Sequence, residues 1–155
     1  MRIPEDLVDF LESGVSILAA TRDARLRPEA TRACGAIVSP DRGSLTVFLG
    51  ESWNRRAFDN LAHNGELAVG FSRPLDAFSI QIKGGPAHLR AATGDERSIV
   101  DRYHAAYVEQ LYIIGLPRSI VKRMAVWPAR AATIDVRDMF VQTPGPEAGR
   151  RLEGT

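Results

Sequence analysis

A chain of 155 residues is the size of one ordinary domain, and a content of 45% hydrophobic and 25% charged residues is that of a globular protein. Its 20 basic and 19 acidic side chains give a net charge of +1, which excludes the cationic excess typical of nucleic-acid-binding domains. The single cysteine, Cys34, excludes an internal disulfide, and no Cys/His cluster has zinc spacing. The N-terminus lacks the pattern of a secretion signal and no run approaches membrane-spanning length. We therefore expect a cytoplasmic protein with neither a nucleic-acid nor a membrane partner.

The first half of the chain predicts one helix followed by a meander of strands. Pro4 followed by two acids is typical of a helix start, and Gly14 ends that helix. Apolar or alternating runs, separated by turn residues, then predict three strands, over residues 15–21, 29–38 and 44–49.

The second half mixes helix and strand signals. Ser52 or Asn54 can cap a short helix that Gly65 ends, and Thr93 can cap a longer helix with acids in its first turn. A shorter helical piece is predicted over 117–124. Three further strands are predicted, over residues 66–71, 77–90 and 131–141, the middle one bent at Gly84-Gly85-Pro86.

Six strands in an antiparallel meander favour a mainly β fold that closes, at least in part, into a barrel. Closure removes the exposed edges that such a sheet would otherwise present. We predict one domain over residues 1–141, with short helices around the barrel. Residues 142–155 are rich in Gly, Pro and charge, which predicts a flexible tail.

The densest candidate site lies where the strand over 44–49 runs into the second helix. The first turn of that helix carries Arg55 and Arg56, and free N–H groups and the helix dipole attract an anion there. The segment therefore predicts a phosphate site, the alternative being two solvated surface charges. Trp53 can cover a ligand at this place, the alternative being an anchor for the helix or a dimer contact, which is the commoner role of such a residue.

Two other places on predicted strands carry polar groups that suit a ligand. Arg32 lies among small residues in the middle of a predicted strand, where burial of its charge is costly unless the guanidinium meets an anion or reaches solvent. We therefore expect Arg32 to point either at a ligand or outward to water. Ser79 and Gln81 share one face of their strand, because side chains alternate with period two. They can bind the polar edge of a flat ring, the alternative being a solvent-facing stripe.

The order of these features resembles the pyridoxamine 5'-phosphate oxidase-like, FMN-binding split-barrel superfamily over roughly residues 7–90. The features are the helix ending at Ser13-Gly14, the Ala-Ala-Thr21 strand end, Leu-Thr-Val-Phe-Leu49, the Arg-Arg helix and Phe-Ser-Ile-Gln-Ile-Lys-Gly84. The resemblance implies a six-stranded antiparallel split β-barrel and a homodimer that binds FMN at its interface. It places Arg32, Arg55 and Arg56 on the FMN phosphate, and it implies further cofactor contacts from Leu49, Gly50, Asn54, Ser79 and Gln81. Trp53 joins this predicted set because it lies beside the arginines.

Several positions depart from the oxidase pattern. Ile37 stands where the oxidases have a lysine, and Leu49-Gly50 replaces an aromatic-threonine pair. Asn54 stands in place of a serine, and Ser79, with Gln81 two residues on, in place of a glutamine. The Arg-x-His pattern of the true vitamin B6 oxidases is absent from residues 130–155. We therefore do not expect pyridoxamine phosphate to be the substrate.

The sequence analysis leads to a small FMN-dependent oxidoreductase of unknown substrate. No paired carboxylates, catalytic triad or activated cysteine predicts a catalytic residue, and we expect no metal site. The alternative is a non-catalytic protein of the same fold that binds flavin, deazaflavin or haem. For haem, His88 or His104 is the candidate axial ligand.

Overall fold

The computed structural model describes residues 1–153 as four helices and eight strands. The helices are α1 (Glu5–Leu11), α2 (Arg55–Asn64), α3 (Gly94–Ile113) and α4 (Arg118–Val121). The strands are β1 (Ser16–Arg22), β2 (Pro28–Arg32), β3 (Ala36–Val38), β4 (Ser44–Gly50), β5 (Leu67–Ser72), β6 (Ser79–Gly84), β7 (His88–Ala91) and β8 (Ala129–Val141). None of the helices in this described part is long and apolar enough to cross a membrane.

The strands form one curled antiparallel sheet in the order β2-β1-β5-β6-β8-β4-β3. The long strand β8 joins its two halves. Its first part pairs with β4 on one side and with β7 on the other, and its last part pairs with β6. The mainly β class and the antiparallel pairing agree with the sequence prediction, and the curled sheet is consistent with a split barrel.

The predicted number of six strands was wrong, because two of the predicted strands are each broken in two. The run predicted over 29–38 splits at Gly35, whose φ of +143° is a conformation that side-chain-bearing residues rarely adopt. β2 pairs with β1 before this break, and β3 pairs with β4 after it. The chain thus passes at Gly35 from one half of the sheet to the other.

The second break lies at the bend predicted at Gly84-Gly85-Pro86. The register between β6 and β8 shifts between Lys83 and Gly84. A Cβ at Gly84 would overlap the backbone carbonyl oxygen of Asp135. Only glycine therefore allows the two strands to approach each other this closely. β7 then continues along the same edge of β8, with His88 opposite Thr133.

The two longer helices pack against the sheet. α3 begins with a capping box, in which Thr93 and Glu96 satisfy each other's backbone N–H groups. Hydrogen bonds from Arg90 lower the pKa of Glu96 to about 2, so this carboxylate stays ionised at neutral pH. α2 lies against the inward face of β1, where Asn60 donates a 3.0 Å hydrogen bond to the Thr21 hydroxyl.

One face of the sheet formed by β2, β1, β5 and β6 points away from the core. The alternate residues Ile17, Val69 and Ile82 are fully buried on the inward side. We call the other side the outer face. It carries Ser16, Leu18, Ala20, Ala30, Arg32, Ala68, Gly70, Ser72, Ser79, Gln81 and Lys83.

The outer face combines a small apolar centre with polar residues around it. Its middle strands contribute Leu18, which is 48% exposed, together with Ala20, Ala68 and Gly70. Antiparallel sheets with one solvated face normally alternate apolar residues inside with polar residues outside. Leu18 is thus an exposed apolar side chain among small neighbours, which permit another molecule to approach the sheet closely.

The segment after β8 turns back along that strand. Gly149 and Leu152 donate backbone hydrogen bonds of 2.8 Å to Val141 and Met139 respectively, and Leu152 packs against the core. The prediction that residues 142–155 are flexible stays a prediction, because these contacts do not measure motion. Residues 154–155 lie outside the described part.

Candidate functional site

The loop between β4 and α2 is fixed by Asn54, which is 1% exposed. Its side-chain amide donates a 2.7 Å hydrogen bond to the Gly50 carbonyl, and its oxygen accepts a hydrogen bond from the Thr31 hydroxyl on β2. Asn54 is the N-cap residue of α2 by position, yet its side chain caps no backbone N–H. It therefore ties the start of α2 to the inward face of β2 and leaves the N–H groups of the first turn free of a side-chain cap.

Two residues before this loop offer little side-chain surface to a ligand. Leu49 is fully buried in the core, and Gly50 is buried beside the Ala125 carbonyl, which would lie 3.1 Å from a Cβ at that position. Any contact of Leu49 or Gly50 with a cofactor would have to be made by the backbone. Trp53, at 48% exposure, is open to one.

The two arginines of α2 point to different surroundings. Arg56 donates a 2.9 Å hydrogen bond to Glu29, with which it forms an ion pair. Arg55 instead lines a cavity of about 330 Å³ together with Glu51, Phe58, Asp59 and Arg130. Of the two, Arg55 has the guanidinium that is available to an incoming anion.

Arg32 lies on the opposite side of β2 from α2. Thr31, its neighbour, contacts Asn54, so strand alternation turns Arg32 toward the outer face. There its guanidinium donates hydrogen bonds of 2.7 Å to the Tyr107 hydroxyl and 3.1 Å to Ser16. The structure does not bring Arg32 together with Arg55 and Arg56 in one chain.

Ser79 and Gln81 share the outer face with Arg32. The Ser79 hydroxyl is engaged by Ser72 and by the Ala77 carbonyl, at 2.7 and 2.8 Å. Gln81 is half-buried opposite Gly70 and has no side-chain hydrogen bond within residues 1–153. Of this pair, Gln81 has the freer hydrogen-bonding groups.

The predicted residues thus form two groups on opposite sides of the sheet. The α2 group consists of Leu49, Gly50, Trp53, Asn54, Arg55 and Arg56; the outer-face group consists of Arg32, Ser79 and Gln81. Sequence reasoning missed Arg130, which β8 places opposite Leu49 and beside Arg55. No local signal could have found it, because its position depends on the pairing of β4 with β8.

Of the other reactive side chains, Cys34 and His104 are engaged in the fold. Cys34 is buried, which raises the pKa of its thiol to about 12 and keeps it protonated. A ring nitrogen of His104 lies 3.0 Å from the Val121 carbonyl oxygen, while His88 is exposed on β7. Across residues 1–153, no group of three or more His, Cys, Asp or Glu side chains is placed to hold a metal ion.

Neither a scan against protein-family models nor a search of the curated proteins gives a match to this chain. Solved structures do match it over most of its length. HupZ of Group A Streptococcus is 18% identical, with a TM-score of 0.57 over 95% of this chain and 99% of the other. A Lactobacillus delbrueckii protein assigned as a pyridoxamine 5'-phosphate oxidase is 11% identical, with a TM-score of 0.56 over 90% and 94%.

The chain has the pyridoxamine 5'-phosphate oxidase-like split-barrel fold. An F420 reductase also shares this fold, at 12% identity and a TM-score of 0.56 over 88% of this chain and 98% of the other. At these identities the likeness concerns the architecture alone. The roles of the α2 group and of the outer-face group therefore follow from their own geometry and not from the relatives.

Proposed function

We propose that this split barrel binds a flavin nucleotide, FMN, and serves as a small flavin-dependent oxidoreductase. The observation that carries the proposal is the first turn of α2, where Arg55 faces an open cavity and Arg56 lies next to it. Guanidinium groups and free helix N–H groups are the donors that a phosphate prefers. One solved structure of this fold is assigned as a pyridoxamine 5'-phosphate oxidase and another is an F420 reductase, which supports a redox role for this chain as well.

The outer face suits the flavin ring. Gly70 and Ala68 present little side chain, so a flat ring can approach the strand closely, and Gln81 can both donate to and accept from the polar edge of the ring. A bound flavin supplies hydride transfer at its ring. The chain itself would contribute binding and orientation, and the substrate class is not specified by these residues.

One flavin cannot reach both groups within a single chain, because α2 packs on the inward side of the sheet and Gln81 lies on the outer side. We propose that the chain is a homodimer in which the cofactor lies between the α2 group of one copy and the outer-face group of the other. The apolar character of the outer face supports this arrangement, since a second copy would cover Leu18 and its alanine neighbours.

A second candidate is a binding protein of the same fold without turnover, holding flavin, deazaflavin or haem. It is favoured by Ile37 and by Leu49-Gly50, which differ from the oxidase pattern. Flavin that stays oxidised in the presence of a nicotinamide donor would support this candidate. Rapid reduction followed by reoxidation would support the oxidoreductase.

The phosphate assignment is tested by replacing Arg55 and Arg56 together with alanine. Hydrogen bonds to charged groups contribute about 1.5–3 kcal/mol each, so we expect the Kd of FMN to rise at least about tenfold. Fluorescence titration of FMN measures this Kd. The matched control is Lys122→Ala/Arg123→Ala, which removes two adjacent exposed charges at α4 and should leave the Kd unchanged. An unchanged Kd in the α2 variant would refute the assignment.

A further inference from the structure

The end of α3, the connection after it and the short helix α4 carry an exposed apolar surface. Within residues 112–120, five large apolar side chains have between 40% and 61% of their surface open to solvent; they are Tyr112, Ile113, Ile114, Leu116 and Ile120. More than half of the exposed large apolar residues within residues 1–153 therefore lie in one short segment. Single exposed apolar residues are normal, but a contiguous group of them marks a surface that binds another molecule.

The fold does not need these exposed side chains to hold α4 in place. Val121 is the buried residue of α4 and joins that helix to the core. Arg118 ties α4 to α3, because its guanidinium donates hydrogen bonds of 2.8 and 2.6 Å to Glu109 and lies 3.4 Å from the centre of the Tyr112 ring. The apolar side chains that remain outside the core are thus presented on a fixed backbone.

The same part of the chain is cationic. Residues 112–123, which we call the tip segment, contain Arg118, Lys122 and Arg123 but no acidic residue. Glu109 neutralises Arg118, whereas Lys122 and Arg123 are exposed and belong to no ion pair within residues 1–153. Since the whole chain has 20 basic and 19 acidic side chains, acids outnumber bases outside the tip segment. The tip segment is therefore a local positive surface on an otherwise slightly negative chain.

We propose that the tip segment binds to the surface of an anionic lipid bilayer. Aliphatic side chains and a tyrosine suit the boundary between acyl chains and headgroups, and neighbouring lysine and arginine side chains attract anionic headgroups. Both features are present in this one segment. Binding of this kind needs no helix that crosses the bilayer. The expectation of no membrane partner rested on the lack of spanning segments, and the tip segment offers a different mode of contact.

The charge of the tip segment favours a bilayer over a second copy of the chain. A two-fold contact between two tip segments would set Lys122 and Arg123 of each copy against the same cations of the other. The apolar residues also differ from those of a typical protein interface, because four of the five are leucine or isoleucine, whereas interface cores are enriched in aromatic residues, methionine and arginine.

Flotation of the full chain with lipid vesicles tests the proposal. We expect binding to phosphatidylcholine vesicles that contain about 30% phosphatidylserine and at least about tenfold weaker binding to phosphatidylcholine alone, because each exposed cation near an anionic surface contributes about fivefold. Added salt should weaken the binding, since it screens exposed charges. A wild-type chain that does not float with the anionic vesicles would overturn the proposal.

The apolar part of the tip segment is tested by Ile113→Ser/Ile120→Ser. Both residues are exposed, so the variant should fold, and we expect at least about tenfold weaker binding to the anionic vesicles because apolar insertion is lost. The matched control is Leu26→Ser/Leu75→Ser, which changes two side chains that are 70% and 61% exposed in the loops before β2 and β6. The control should bind as the wild type does, and equal loss in both variants would overturn the proposal.

The cationic part is tested by Lys122→Gln/Arg123→Gln, for which we expect about tenfold weaker binding to the anionic vesicles. Arg150→Gln/Arg151→Gln removes two adjacent exposed cations near the C-terminus and is the matched control. Unchanged binding is expected for the control. An equal loss in both variants would show that the net charge of the chain, and not the tip segment, attracts the vesicles.

Sedimentation of the same variants distinguishes the bilayer from a second copy. If the wild-type chain binds no vesicles and Ile113→Ser/Ile120→Ser dissociates a dimer, the tip segment is a contact between copies and the proposal is wrong. The Kd of FMN is expected to stay unchanged in every variant, because the tip segment contains no residue of the α2 group or the outer-face group. Vesicle binding in a chain that holds no flavin would therefore uphold this inference while refuting the proposed function.

Discussion

Replacing Gly84 by alanine is expected to lower the free energy of unfolding by about 3 kcal/mol or more, an overpacking cost at the upper end of its usual range. The added Cβ would overlap the Asp135 carbonyl, which belongs to the backbone of β8 and cannot rotate away as a side chain can. Relief therefore requires β6 and β8 to separate where β8 joins the two halves of the sheet. Urea unfolding followed by tryptophan fluorescence measures the loss.

The matched control is Gly70→Ala, also a glycine within a strand. A Cβ at Gly70 meets only the Leu18 carbonyl, at 4.0 Å, so this variant should be as stable as the wild type or slightly more stable. Equal stability of Gly84→Ala and Gly70→Ala would show that the close approach of β6 to β8 is not present in solution.

Two variants that each bind FMN more weakly than the wild type are expected to recover tight binding when they share a dimer. Arg55→Ala/Arg56→Ala removes the phosphate donors of the α2 group, and Gln81→Glu places a carboxylate against the carbonyl-bearing edge of the ring on the outer face. If the cofactor lies between copies, a mixed dimer contains one intact site and one doubly altered site. Random pairing should then restore about a quarter of all sites, as two-fold symmetry requires.

Co-expression of the two variants with different affinity tags, followed by tandem purification, isolates the mixed dimer. Bound FMN is then counted per dimer by absorbance, with each single-variant dimer as a control. A mixed dimer that holds no more FMN than either parent would contradict a cofactor shared between the α2 group and the outer face.

Much of the fold could be predicted from the sequence, because hydrophobic alternation marks where strands lie. The strand over 44–49 and the capping box at Thr93 follow from local residues alone, and both are observed. The breaks at Gly35 and Gly84 could not be predicted in the same way. A glycine in a strand signals a bend, but only the partner strand decides whether pairing stops there.

The candidate site was predictable only in its local part. Arg55, Arg56 and Asn54 are neighbours in sequence, so their clustering follows from one helix start. Arg32 was placed with them by the family resemblance. A strand's period says which residues share a face but not which face meets the core, and Thr31, not Arg32, faces α2. Arg130 could not be found at all, because it joins the cavity through the register of β8 against β4.

An absorption spectrum of the purified chain, recorded before and after FMN is added and the sample is desalted, tests the central claim most directly. The account predicts that the two bands of oxidised flavin remain with the wild-type protein after desalting and that less flavin remains with the Arg55→Ala/Arg56→Ala variant. A sharp Soret band would favour haem, with His88 and His104 as the residues to change. A folded chain that retains no flavin at all would contradict the proposal that this split barrel binds FMN.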